Sequence, residues 1–222
     1  MIDNNHRLII ICGMAHTGTT IIADILRQHP GNVLVKNGAM YWILENDYLL
    51  HANTEGICEL LSEHKKRIIL KRPWVEHLHT QWLTSQMPDA YYLYCKKDKE
   101  KTIKSWSREN SYVESELRND SYEDKSAHYD ACYKSAMELR NKVQKFLVVE
   151  NEDVIQNPEK AFSDINKFLE LPEFDYDLSE VSQSRSIKKK FVHKVKEKKS
   201  LKHYFNLFLM KSKAFVYSFL NK

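Results

Sequence analysis

At 222 residues, with 42% hydrophobic and 29% charged side chains, the chain has the size and balance of one globular core with room for a tail. No apolar run approaches the roughly 18 residues of a membrane span, and Met1-Ile2-Asp3-Asn4-Asn5-His6-Arg7 lacks the pattern of a secretory leader. The four cysteines (Cys12, Cys58, Cys95, Cys132) form no paired spacing, so zinc ribbons, CxxC redox motifs and a disulfide scaffold are unsupported and a reducing, cytoplasmic setting is expected. Charge is unevenly spread. Residues 185–222 hold 12 of the 34 Lys+Arg and one of the 30 Asp+Glu, a net +11, which leaves 22 bases and 29 acids, a net −7, for residues 1–184. Such a tail either meets an anionic partner or is a solvated helix packed on an acidic body.

Four continuous apolar runs appear in order: Leu8–Cys12, Ile68–Leu70, Tyr91–Cys95 and Phe146–Val149. Unbroken rather than alternating apolarity predicts strands covered on both faces, as in a parallel sheet. Helical spacing separates them. Ile21, Ile22, Ile25 and Leu26 form one helix ending at His29-Pro30, and Trp82, Leu83 and Met87 a second. Ala131, Ala136, Leu139 and Val143 form a third, and Ala161, Phe162, Ile165, Phe168 and Leu169 a fourth that ends at Pro172. The alternation predicts an α/β fold, a doubly wound three-layer sandwich around a parallel sheet. One domain is expected over 1–184, followed by a basic helical tail over 185–222.

Two of only five glycines lie in Gly13-Met14-Ala15-His16-Thr17-Gly18-Thr19-Thr20, between the first strand and the first helix. Gly-x4-Gly followed by Thr-Thr is the spacing of a phosphate-binding loop, with Thr19 standing where nucleoside triphosphatases carry lysine. Backbone N–H groups at a helix N-terminus still cradle an anion there, and the threonine hydroxyls add donors. A triphosphate is disfavoured without that lysine; a simpler phosphate or phosphosulfate suits the loop better. Gly13, Ala15, His16, Thr17, Gly18, Thr19 and Thr20 are the candidate contacts.

These residues, with Leu26 and His29-Pro30 downstream, resemble the 5′-phosphosulfate loop of sulfotransferases that use 3′-phosphoadenosine-5′-phosphosulfate (PAPS). Three further stretches match that family in order. Lys97 and Ser105 resemble its 3′-phosphate pair, a basic residue at a strand end and a serine eight positions later. Arg67-Ile68-Ile69-Leu70-Lys71 resembles the strand whose terminal lysine approaches the sulfuryl group, and Glu150-Asn151-Glu152-Asp153-Val154 resembles its YEDL segment with Asn151 in place of tyrosine. The resemblance implies a P-loop-like fold and transfer of a sulfuryl group from PAPS to a hydroxyl or amine, leaving adenosine 3′,5′-bisphosphate (PAP), with no metal. It implies that Lys71 and His16 stabilise charge at the leaving phosphate.

The sequence departs from the family at several points. His16 replaces an arginine or lysine and so carries a charge that depends on pH, with an ordinary value of about 6.5. Lys97 replaces an arginine and offers a point charge without a bidentate fork. Lys36-Asn37-Gly38-Ala39 lies where a Gly-Glu is expected and Pro73 where cytosolic members carry histidine, so no motif selects a general base. Glu45 is the nearest downstream carboxylate, with Asp47 and His51 in reserve. Arg185 and Lys188 open the basic tail and are candidates for covering the nucleotide.

Beyond them, Leu201, Tyr204, Phe205 and Phe208 form an aromatic stripe that suits an anionic membrane surface, packing on the sheet, or a homodimer. The expected acceptor is a small molecule or glycan, of carbohydrate or glycolipid type. No nucleic-acid-reading module accompanies the basic tail, so no specific nucleic acid is expected, and the expected location is cytoplasmic, peripheral on the inner face of a membrane. A P-loop small-molecule kinase and a non-catalytic relative that binds PAP or a glycan are the alternatives.

Overall fold

The computed structural model describes residues 3–34, 57–71, 77–107, 119–179 and 181. All of them fall in the first of two units into which the chain divides, Met1–Ser182; the second, Gln183–Lys222, contains none, so the expected basic tail lies outside the described residues.

The elements run β1 (Leu8–Gly13), α1 (Thr19–Leu26), β2 (Asn32–Leu34), β3 (Arg67–Lys71), α2 (His77–Gln86), β4 (Tyr91–Lys96), α3 (Lys99–Trp106), α4 (Tyr122–Arg140), β5 (Lys145–Glu150), α5 (Asn151–Gln156) and α6 (Pro158–Phe168), and residues 57–63 are also helical. The strands form one sheet in the order β2-β3-β1-β4-β5, with parallel pairing throughout. All six residues of β1 are buried, because helices cover both faces of the central strand.

Alternate residues of β1 feed two separate cores. Leu8, Ile10 and Cys12 pack with Leu83, Tyr92, Tyr94, Trp106, Ala136 and Leu139 from the α2, α3 and α4 side. Ile9 and Ile11 pack with Ile22, Leu26, Leu93, Phe162 and Ile165 from the α1 and α6 side. Each fully buried aliphatic side chain contributes about 1.5–3 kcal/mol, so the two layers together fix the register of the sheet. The architecture is the expected three-layer α/β sandwich.

The differences from expectation are local. β2 has three residues and sits at the sheet edge, too short to stand out in the sequence. β5 was expected to be covered on both faces, yet as the other edge strand it is half-buried except at Val149. α3 carries a lysine-rich exposed face that masks its buried stripe of Thr102, Ile103, Ser105 and Trp106; Asp98 begins it by accepting from the Lys101 N–H at 2.9 Å.

The order of the strands positions the site. The chain leaves β1 for β2 and β3 on one side, then crosses to β4 and β5 on the other. Ligands of open α/β sheets bind outside the carboxyl ends of the strands at such a reversal. The Gly13–Thr20 loop lies there.

Candidate functional site

Gly13 ends β1 with φ +146°, and a methyl group on it would come within 2.5 Å of the Cys95 carbonyl oxygen and 2.8 Å of Thr17 Oγ1. Only glycine fits the close approach of β4 at this turn. Gly18 precedes α1 with φ +98°, and a methyl there would overlap the amide nitrogen of Asn151. His16 also takes a left-handed conformation, φ +68°.

The loop's carbonyls are held by protein donors. Met14 O accepts from the Thr17 N–H at 3.2 Å and from Thr17 Oγ1 at 2.7 Å. Ala15 O accepts from Trp106 Nε1 at 3.0 Å, and His16 O from Lys97 Nζ at 3.4 Å. Asp98 and Ser121 cap α3 and α4 with their side chains, whereas no side chain caps α1. The first N–H groups of α1 therefore have no intrahelical or capping partner, which is the arrangement that accepts an anion.

Lys71 ends β3 and shares the sheet face of Ile69, the α1 side. Its Nζ donates to Thr20 Oγ1 at 2.8 Å. Burial lowers the ammonium's pKa below the ordinary 10.5, and the Asp24 carboxylate followed by Cys95 pushes it partly back. Full burial pushes the Cys95 thiol well above its usual value.

Lys97 follows β4, and Tyr129 OH of α4 donates to its carbonyl at 2.8 Å. Ser105 lies buried in the last turn of α3, its hydroxyl donating to Thr102 O at 2.7 Å. The structure thus joins Lys71 to Thr20 and Lys97 to His16. It shows no direct bond between Lys97 and Ser105 among the contacts described. Glu45, Asp47, His51, Arg185 and Lys188 lie outside the described residues, as do Lys36–Ala39 and Pro73.

Two residues that shape the loop, Trp106 and Tyr129, went unread in the sequence, and a third, Asn151, was read only as a departure from the family pattern. Trp106 is signalled only by its place beside Ser105, and Tyr129 by nothing local. Asn151 is visible as the departure from tyrosine; it is buried at the start of α5, behind Gly18.

The donor set suits a ligand with several phosphate or sulfate groups. Two lysines, a histidine, two threonines and uncapped N–H groups surround the loop. Among the described residues, no group of three or more His, Cys, Asp or Glu could hold a metal ion, and no helix is long and apolar enough to cross a membrane.

Solved structures similar to this fold include several sulfotransferases. The chain is similar to the sulfotransferase domain of the Synechococcus PCC 7002 olefin synthase, at 17% identity over 76% of this chain and 74% of that one, with a TM-score of 0.59. It is similar to a sulfotransferase from Alicyclobacillus acidocaldarius at 17% identity, 77% and 84% coverage and a TM-score of 0.54. Mouse sulfotransferase SULT7A1, solved with PAP, is similar at 15% identity, 81% and 64% coverage and a TM-score of 0.54. No curated protein sequence matches the chain. The sulfotransferase domain family matches residues 6–218, nearly the whole chain, so the protein belongs to that family and is a PAPS-dependent sulfotransferase.

Proposed function

We propose that the Gly13–Thr20 loop holds the 5′-phosphosulfate end of PAPS, that Lys97 and Ser105 hold its 3′-phosphate, and that the acceptor is a hydroxyl, or an amine, of a carbohydrate or glycolipid. PAPS supplies the sulfuryl group. Lys71 supplies positive charge beside it, His16 an N–H donor, and Thr19 and Thr20 add hydroxyls. Glu45 is the proposed base for the acceptor proton. Arg185 and Lys188 are proposed to cover the nucleotide.

The observation that carries the reading is the hydrogen bond from Lys71 Nζ to Thr20 Oγ1, 2.8 Å long. It brings a cation from a neighbouring strand to the mouth of an anion-binding loop that has no lysine of its own. The test is calorimetry with PAP on the wild type, Thr19→Ala and Thr20→Ala. Weaker binding in both variants is expected, and unchanged affinity in both would overturn the loop assignment. Transfer of radiolabelled sulfate from PAPS to a panel of glycans and glycolipids tests the acceptor class, and activity confined to non-carbohydrate acceptors would overturn it.

The proposed location is the inner face of a membrane, supported by the net +11 of residues 185–222 and by the attraction of about 1 kcal/mol per Lys or Arg near anionic lipid. Cosedimentation with anionic vesicles should fall as salt rises. A chain that ignores such vesicles at low salt would refute it.

A further inference from the structure

Lys97 belongs neither to the sheet nor to a helix. Lys96 ends β4, paired in the ladder with Glu150 of β5. From Asp98 onward the chain is tied to α3: Asp98 O accepts from the Thr102 N–H at 2.9 Å, and its side chain from the Lys101 N–H at 2.9 Å. Lys97 stands between the two, and its carbonyl is held from α4, where Tyr129 OH donates to it at 2.8 Å.

Tyr129 is one of a row. Tyr122, Lys125 and Tyr129 lie at i, i+3 and i+7 of α4, which is one face of a helix. Each reaches the β4–α3 segment. Tyr122 OH donates to the Glu100 carboxylate, and Lys125 Nζ to Ser107 Oγ at 3.0 Å. Beside Tyr129, Asp130 pairs with Lys99 at 2.6 Å. The Tyr129 ring packs on Trp106, with centroids 6.5 Å apart, and Trp106 adjoins Ser105 in the chain. This face of α4 therefore meets Lys97 directly and α3 beside Ser105.

We propose that Tyr129 is a positioning residue for recognition of the 3′-phosphate: its hydroxyl fixes the Lys97–Asp98 peptide, and with it the direction in which Lys97 leaves the sheet relative to Ser105. The proposal rests on the reading of Lys97 and Ser105 given above and adds the group that holds the pair in place.

The carbonyl of Lys97 and the N–H of Asp98 share one rigid peptide plane. Turning that plane swings the Lys97 side chain against the start of α3. With the carbonyl held, Lys97 Nζ reaches His16 O at 3.4 Å and stays beside the phosphate loop. Burial, ahead of the Glu150 carboxylate, pushes the Tyr129 hydroxyl up to about 12, which favours the protonated form that donates. Phenylalanine at this position keeps a ring on Trp106 and beneath the Lys99 ammonium, which stands 5.8 Å from the centroid, and loses only the donor.

The experiment compares PAP with AMP, which lacks the 3′-phosphate, by calorimetry on the full chain. Tyr129→Phe should lose about two- to tenfold in affinity for PAP, the range of one hydrogen bond, and less than about twofold for AMP. The ratio of the two affinities is the decisive readout. A variant that is merely less stable loses native protein for both ligands alike, which leaves the ratio unchanged. In the Lys97→Ala background, Tyr129→Phe should not alter the ratio further, since the side chain it directs is gone. In transfer assays KM for PAPS should rise by a similar factor with kcat held, because the 3′-phosphate lies away from the sulfuryl group.

An unchanged ratio in Tyr129→Phe would overturn the proposal, as would a further change of the ratio in the Lys97→Ala background or a fall in kcat with KM unmoved. If Lys97→Ala itself loses equally for PAP and AMP, the reading of Lys97 fails and the proposal with it. If Lys97→Ala changes the ratio and Tyr129→Phe does not, the proposal alone fails, so the two failures are distinguishable.

Discussion

Gly18→Ala tests whether the phosphate loop is shaped by the wedge between Gly18 and Asn151. At φ +98° an L-residue meets its own backbone, a cost of about 1–2 kcal/mol. The new methyl would also overlap the Asn151 amide nitrogen, and Asn151 is buried with little room to retreat. Overpacking of that kind adds about 1–3 kcal/mol. The sum is about 2–5 kcal/mol, or a fall in Tm of about 5–15 °C for a domain this size. Thermal and urea unfolding of Gly18→Ala, Asn151→Ala and the double variant, all without nucleotide, separate the two contributions. Removing the amide leaves only the backbone penalty, so the pair should couple by about 1–3 kcal/mol. A Gly18→Ala protein as stable as wild type, or strictly additive losses in the double variant, would refute the reasoning.

Lys97→Ala should lose about ten- to a hundredfold in affinity for PAP, the range of a charge-assisted contact. It should lose little for AMP, which lacks the 3′-group; equal losses by calorimetry would contradict the assignment of Lys97. Trp106→Phe keeps the packing on His128 and Tyr129 but removes the Nε1 donor to Ala15 O. Leaving that carbonyl without its partner should cost about 1–3 kcal/mol in unfolding experiments and weaken PAP binding; a variant as stable as wild type would mean the loop does not depend on the bond. For pH, the proposed role of Lys71 needs its charged form, and burial lowers its pKa below 10.5. Transfer should therefore fall as pH rises through that lowered value, and Lys71→Arg should abolish this limb. An alkaline limb that persists in Lys71→Arg would assign it to another group.

Much of the sheet was legible because its strands are buried. Leu8–Cys12 and Tyr91–Cys95 are unbroken apolar runs, since both faces of β1 and β4 meet helices. The loop was legible because its geometry demands glycine at two fixed places. β2 and α5 were not, for elements of three and six residues cannot show a period. α3 was hidden by four lysine and glutamate side chains on its outer face. The partners of the loop were harder still. Trp106, Tyr129 and Asn151 reach it across 91, 32 and 133 residues of chain or by way of Lys97, and no local pattern encodes a contact of that range.

The same geometry bears on how the proposed phosphate loop would work without the lysine that such loops usually carry. Thr19 fills that position at the start of α1, and its neutral hydroxyl brings no charge to a ligand. The cation comes from the side instead. Lys71 lies opposite Ile11, two residues before Gly13, and donates across to Thr20. This depends on parity. Ile69 and Lys71 face the α1 layer, while Ile68 and Leu70 face the other core. A slip of one residue between β1 and β3 would bury Lys71 in the opposite layer and expose the loop to an apolar side chain. Pairing of Ile9 with Ile69 and Ile10 with Leu70 forbids that slip, since it would move three buried aliphatic residues to the wrong core. The hydrophobic register of β3 thus sets where the site's positive charge stands, and a core substitution such as Leu70→Lys is excluded for the same reason that Lys71 is required one residue later.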